Sequence, residues 1–238
     1  MAAGHGKRMQ SETPKVLSLL HGKPLIKHLL ENIALSGVCE SPVIVVGQKR
    51  EVVMAELGDK YRYVFQEEQL GTGHAVLSAE TVLKDSAENV LVLYGDQPYT
   101  SAETIRKLSE AHITQGNDMT MATVQLPDFS DWRASFMSHG RIGRDGAGNI
   151  SGIIYGKNLT PEQLAITEVD PALFCFKASW LWPSLRKLKN ENSHGEYYLT
   201  DLVSLACAEK AKLGSISIEA KDAVGVNTRE HLELLHTI

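Results

Sequence analysis

Pro42-Val43-Ile44-Val45-Val46-Gly47 is a short, wholly apolar run closed at each end by a turn residue. Nothing polar alternates with its valines and isoleucine, so it reads as a strand buried on both faces, as in a parallel sheet. A second run of the same kind follows at Asn89-Val90-Leu91-Val92-Leu93-Tyr94. Helical patterns separate and flank the two. Leu25, Ile26, Leu29, Leu30 and Ile33 share one face of a helix opened by Pro24 and ended by Gly37. Residues 49–57 read as helix, 61–66 as strand, 72–83 as helix and 101–112 as helix. This alternation predicts an α/β fold with a Rossmann-like, doubly wound, mostly parallel sheet.

Beyond residue 115 the pattern is less regular. Residues 119–126 and 169–176 read as strands, and 180–188 and 198–210 as helices. Residues 140–144 and 149–155 alternate around Asp145-Gly146, a dipeptide suited to a hairpin turn. The chain shows no internal repeat, and in particular no hexapeptide period of the β-helix type.

The 238 residues suffice for one domain with a substantial core. A hydrophobic content of 43% with 22% charged residues fits a globular chain rather than a disordered one. The formal net charge of -5 argues against a nucleic-acid surface, while leaving room for a local basic pocket. Cys39, Cys175 and Cys207 are too widely spaced for a CxxC metal site, and their odd number does not indicate a disulfide framework. No apolar run approaches the ~20 residues of a bilayer span, and no signal peptide is visible, so the expectation is a cytoplasmic enzyme without a membrane partner.

Four segments carry chemistry. The first opens the chain: Ala2-Ala3-Gly4-His5-Gly6-Lys7-Arg8-Met9-Gln10-Ser11-Glu12-Thr13-Pro14-Lys15-Val16-Leu17. Two close glycines let a turn present its N–H groups to an anion, and Arg8 and Lys15 add fixed positive charge. The pattern is neither a dinucleotide fingerprint nor a P-loop, because no third glycine fits and Gly6-Lys7 is followed by Arg8. The second is Gln66-Glu67-Glu68-Gln69-Leu70-Gly71-Thr72-Gly73-His74-Ala75, where a strand gives way to a helix. Backbone amides converge at such a turn, and side-chain amides can pair with donors and acceptors on a base edge.

The third segment is Tyr94-Gly95-Asp96-Gln97-Pro98. An acid at the C-terminal end of a buried strand lies where ligands bind in open α/β sheets, and its carboxylate suits Mg2+. The alternative local reading of Asp96 is a helix cap near Ser101. The fourth is Gly225-Val226-Asn227, which by itself reads as a turn.

In this order, and over essentially the whole chain, these segments resemble the sugar-1-phosphate nucleotidyltransferases. Gly4 to Leu17 is similar to their G-x-G-x-R-M-x-S-x-x-P-K-x-L loop, and Gln66 to Ala75 to the uridine-binding segment of the N-acetylglucosamine-1-phosphate uridylyltransferases. Gly195-Glu196-Tyr197-Tyr198-Leu199-Thr200-Asp201 resembles their G-E-Y-Y-x-T-D stretch. The likeness is to the pyrophosphorylase domain of the bifunctional bacterial enzymes that make UDP-N-acetylglucosamine for the cell envelope. It implies one nucleotidyltransferase domain over 1–238, with a nucleotide-binding half at 1–115 and a sugar-binding, metal-completing half at 116–238. No β-helix acetyltransferase domain, and none of its trimerisation, is implied.

The resemblance also assigns roles. Arg8 and Lys15 would act as catalytic cations on the phosphates, and Asp96 and Asn227 as ligands of Mg2+. Ala2, Ala3, Gly4 and Gly6 would line the triphosphate; Gln66, Gly71 and Thr72 would select uracil, beside Tyr94 and Gly95. Gly140, Tyr155 and Asp170 would face the sugar. The partners implied are UTP and a sugar 1-phosphate, with N-acetylglucosamine 1-phosphate first.

The chain departs from the family at three places. Met1 stands where the family has the Leu of a Leu-Ala-Ala-Gly run, so the fold is expected to lack its first strand, as a truncated sequence would. Tyr155 replaces a sugar-contacting Glu, Asp170 an Asn and Ala172 a Gly, while His139 stands where Tyr is usual. Lys7 replaces a Thr in the phosphate loop. The second departure keeps two alternatives open: another sugar or phosphate acceptor, or a catalytically weak nucleotide-binding paralogue.

Overall fold

The structure, a computed structural model, describes residues 1–4, 13–155 and 159–238. It opens with a 3-10 turn (Lys15–Leu17) and a small hairpin of β1 (Leu19–Leu20) and β2 (Lys23–Pro24). Helix α1 (Leu25–Ser36) follows, and buries Leu25, Ile26, Leu29, Leu30 and Ile33 as its period requires. Gly37 ends it in the left-handed conformation (φ 70°), where glycine carries no Cβ penalty.

The apolar run expected as a strand is β3 (Val43–Val46), and it pairs in parallel with β4 (Arg62–Phe65) across α2 (Arg50–Leu57). The helix expected over 72–83 is two pieces, α3 (Thr72–Leu77) and α4 (Glu80–Leu83). At the break the Ser78 hydroxyl donates to the carbonyl of His74 (2.9 Å), the back-bonding that bends helices. The second apolar run is β5 (Asn89–Val92), followed by α5 (Ala102–Gln115).

The second half supplies β6 (Met119–Gln125), the hairpin β7 (Arg141–Arg144) and β8 (Ile150–Ile154), α6 (Pro161–Leu164), β9 (Glu168–Val169) and β10 (Phe174–Lys177). Then come α7 (Ala178–Leu185), α8 (Asp201–Glu209), β11 (Leu213–Ser217) and α9 (Arg229–Leu235). The strand expected over 169–176 is broken between β9 and β10. There Pro171 lacks an N–H, Ala172 is left-handed (φ 63°), and the Asp170 carboxylate accepts from the Ala172 N–H at 2.7 Å.

Parallel pairing, expected for most of the sheet, holds for β3 with β4 and for β6 with β11. The seven-stranded sheet, in the order β5-β10-β6-β9-β7-β8 with β11 beside β6, is otherwise antiparallel. The reason is connectivity. A parallel neighbour needs a crossover, whereas β10, reached through the β7–β8 hairpin and β9, runs back between β5 and β6 in the opposite direction. It thereby bonds the two halves into one sheet.

Residues 1–3 run between β3 and β5. The Ala2 N–H donates to Val45 (2.7 Å), Ala2 bridges Val46 in parallel, and the Met1 amino group donates to Leu93 (2.6 Å). Among the described residues no strand element lies between β3 and β5. A cavity of about 520 Å³ separates their edges, lined among others by Leu29, Ile33, Ile44, Val90 and Val92.

Phe174, Phe176, Met119 and Met121 are fully buried on one face of the sheet with Leu181 and Leu202. Ile105, Leu108, Ala122 and Leu173 are buried on the other. None of the described helices is long and apolar enough to cross a membrane, and Cys39, Cys175 and Cys207 are free thiols.

Candidate active site

Gly47, Gln66 and Asp96 all lie just beyond the C-terminal ends of strands, after β3, β4 and β5. In a sheet of this kind that edge is where loops converge on a ligand. Here they meet the N-terminal segment. A Cβ on Gly47 would come within 2.6 Å of the Ala3 carbonyl oxygen, so only glycine admits this approach. Gln69 donates to the same carbonyl, and the Gly95 N–H donates to Met1 at 2.9 Å. Ala2 and Ala3 are buried, and Gly4 leads on toward residues 5–12. Gly6 and Arg8, expected in the phosphate loop, lie outside the described residues.

Lys15 re-enters on the other side. Buried Val16 and Leu17 anchor its turn, and Val16 packs against Gly95, where a Cβ would meet it at 3.1 Å. The Lys15 ammonium pairs with the Asp96 carboxylate and donates to the Asn227 side-chain oxygen at 3.0 Å. Asn227 is held there because the Val226 N–H donates to the Asp96 backbone carbonyl at 2.8 Å. Three segments far apart in sequence thus converge on one positive charge. The alternative local role for Asp96 is filled by another residue: Ser101 caps α5, accepting from the Thr104 N–H (3.2 Å).

Among the described residues, no three His, Cys, Asp or Glu side chains are grouped to hold a metal. Asp96 and Asn227 nevertheless fit a hard cation. Both present oxygen, and both oxygens already point at the same cationic nitrogen. A site with two protein oxygens suits Mg2+, which keeps waters and completes its shell with phosphate oxygens.

The loop after β4 is locked by residues 196–199. Gly71 sits at φ 107° with its hydrogen facing the chain, where a Cβ would lie 2.6 Å from the Tyr197 oxygen. Tyr197 donates to Leu70 (2.7 Å) and accepts from the Gly73 N–H (2.8 Å), and the Thr72 hydroxyl accepts from the Leu199 N–H (2.9 Å). The stretch 195–201, which the sequence marks only by its resemblance to G-E-Y-Y-x-T-D, therefore clamps this turn. Gln66 is buried and donates to Gly71 (3.0 Å), with His74 Nδ1 at 3.2 Å. Its carboxamide shapes the loop from within.

Tyr94 lies between the two halves, near Asp96 and Asp170, and burial drives its phenol pKa upward. Gln97, which sequence reasoning passed over, is buried and donates to the Pro171 carbonyl at 2.8 Å. It fixes the β9–β10 turn against the loop that carries Asp96. On that side Gly140 has no room for a Cβ, which would sit 2.4 Å from the Tyr155 ring, and its carbonyl accepts from the Asp170 N–H at 3.0 Å. The Tyr155 hydroxyl is 3.3 Å from the Asp170 carboxylate.

Asp170 is only 4% exposed. Burial pushes its pKa up to about 7, against the opposing bonds from Ala172 and Tyr155. Below pH 4 the carboxyl is protonated both folded and unfolded. Between pH 4 and 7 the folded chain holds a proton that the unfolded chain has lost, so stability falls as pH rises through that window. Asp170→Asn removes the titration while keeping the shape. Thermal melts from pH 4.5 to 8 should show the variant gaining on the wild type as pH rises. Parallel curves would refute the buried, partly protonated carboxyl.

Comparison with known proteins identifies the family. Residues 1–203 match the family described as the MobA-like NTP transferase domain. The bifunctional protein GlmU of Acetivibrio thermocellus is 39% identical over 235 residues, which are 98% of this chain and 49% of that protein. Its counterpart in Desulfotalea psychrophila is 37% identical over 237 residues, covering 98% of this chain and 67% of that protein. The chain thus spans about half the length of the first of these. A crystal structure of UDP-glucose pyrophosphorylase complexed with UDP-glucose superposes with a TM-score of 0.71 over 98% of this chain and 94% of the other, at 17% identity. At that identity the likeness shows the shared nucleotide-sugar transferase fold.

Proposed function

This chain belongs to the MobA-like NTP transferase family, and we propose that it joins UTP to a hexosamine 1-phosphate, N-acetylglucosamine 1-phosphate first, giving a UDP-sugar and pyrophosphate. The observation that carries the reading is the convergence of Lys15, Asp96 and Asn227 beside the N-terminal segment, at the ligand-binding edge of the sheet. The acceptor phosphate oxygen attacks the α-phosphorus of UTP in line. A new P–O bond forms as the bond to the pyrophosphate oxygen breaks, and its electron pair leaves with pyrophosphate.

Such transfers rest on positioning and on charge neutralisation rather than on covalent catalysis. Ala2, Ala3, Gly4 and Gly6 line the triphosphate, where a backbone free of bulky side chains can come close. Arg8 and Lys15 neutralise the phosphates as charge shifts to the leaving group. Asp96 and Asn227 would hold Mg2+, which would supply Lewis-acid polarisation of the phosphates. Gln66, Gly71 and Thr72 shape the uracil pocket, with Tyr94 and Gly95 at its rim. No general base is required, because the acceptor phosphate is ionised at neutral pH.

A second reading concerns the acceptor alone. Gly140, Tyr155 and Asp170 face the sugar, and the buried Asp170 carboxyl beside the Tyr155 hydroxyl favours a different sugar or phosphate acceptor. A coupled pyrophosphatase assay with UTP, Mg2+ and a panel of sugar 1-phosphates separates the readings. Phosphate release with one acceptor identifies it. Silence with every acceptor refutes the enzyme reading and favours a nucleotide-binding paralogue.

A further inference from the structure

We infer that the Lys15 ammonium is the resident cation of the metal site and excludes free divalent metal until nucleotide phosphates draw it away. The inference deepens the proposed function, since it rests on Asp96 and Asn227 being the metal's protein ligands. Its ground is geometric. The two side-chain oxygens that suit Mg2+ are both engaged by one ammonium nitrogen, the Asp96 carboxylate in an ion pair and Asn227 at 3.0 Å. The Lys15 and Asp96 side chains are only 13% and 16% exposed, so the pair is sheltered yet reachable.

Two cations cannot share that place. Even at an effective dielectric constant near 20, like charges about 4 Å apart repel by several kcal/mol when one of them is divalent. Metal entering alone must therefore displace Lys15 from both oxygens and leave its ammonium without an anion. A nucleotide changes the balance, because a triphosphate offers Lys15 a stronger anionic partner and offers the metal further oxygens. Lys15 reaches that position on a turn whose neighbours Val16 and Leu17 are fixed in the core, so the side chain moves while the backbone stays. The metal then loads together with the nucleotide rather than ahead of it, and Lys15 passes from guarding the site to neutralising phosphate.

The test uses Mn2+ as the probe, with no nucleotide present, and follows the free-ion signal by electron paramagnetic resonance. Wild type should bind Mn2+ weakly. Lys15→Gln, which removes the charge, should bind about tenfold or more tightly, and Lys15→Arg, which keeps it, should stay weak. Adding Asp96→Asn to Lys15→Gln should abolish the gain and so locate it. Should the Gln variant fail to fold by circular dichroism, Lys15→Met gives the same readout. Equal or weaker Mn2+ binding by the neutral variant overturns the inference, as does a gain that survives Asp96→Asn. Turnover does not enter this measurement. A failed exchange of cations leaves uridylyl transfer standing, and a failure of transfer with every acceptor leaves the exchange of cations standing.

Discussion

Asp96→Asn should lower the turnover of UTP and sugar 1-phosphate about a thousandfold, a loss of roughly 4 kcal/mol of transition-state stabilisation. The substitution keeps the size of the side chain and removes its charge, so the change falls on cation binding rather than on shape. The loop itself is held by backbone. Asp96 accepts from Val226 through its main-chain carbonyl, and Gly95 bonds to Met1, so both anchors survive. The ion pair with Lys15 is sheltered, but the ammonium keeps the Asn227 oxygen as an acceptor and some exposure after the substitution, which limits the cost to folding. The melting temperature should therefore stay within a few degrees of wild type. Steady-state kinetics beside a thermal melt check this, and undiminished turnover would remove Asp96 from the metal site.

The largest expected effect on stability lies in the strand that joins the halves. Phe174→Ala should cost about 4 kcal/mol, the usual range for emptying a fully buried aromatic site. Phe174 lies opposite Val92 on β5 and Met121 on β6, and its ring is 5.6 Å from that of Phe176. The cavity would open where the carrier of Asp96 meets the second half, and surrounding strands leave little freedom to collapse it. In a chain of this size such a loss should lower the melting temperature by roughly 10 °C. A shift of a degree or two would mean that β10 does not hold the halves together.

How far these features were legible in the sequence varies along the chain. The helix over 25–36 could be read because five apolar residues keep a helical period between Pro24 and Gly37, and α1 buries those five. The strands β3 and β5 could be read because each is a short apolar run bounded by turn or polar residues. Sheet direction could not: β10 is as apolar as a parallel strand, and only its place between β5 and β6, running opposite to both, makes it antiparallel. The strand β11, Leu213-Gly214-Ser215-Ile216-Ser217, went unrecognised because its small and polar residues give no strong apolar signal. The helix α9 was missed as well, although Thr228 caps it.

The site shows the same division. Motifs identified Lys15, Asp96 and Asn227 separately, but no spacing in the chain reveals that they meet. Gln97 carried no motif, and its place beneath the β9–β10 turn follows only from burial. The clamp of residues 196–199 on the Gly71 turn runs largely through backbone bonds, to which side-chain patterns are blind.

Uridylyl transfer is tested most directly by 31P NMR of a mixture of the protein, UTP, Mg2+ and N-acetylglucosamine 1-phosphate. The signals of UTP and of the sugar phosphate should be replaced in equal amounts by pyrophosphate and by the paired resonances of a UDP-sugar. Hydrolysis of UTP without a sugar diphosphate, or UTP left intact with every hexosamine 1-phosphate supplied, would contradict it.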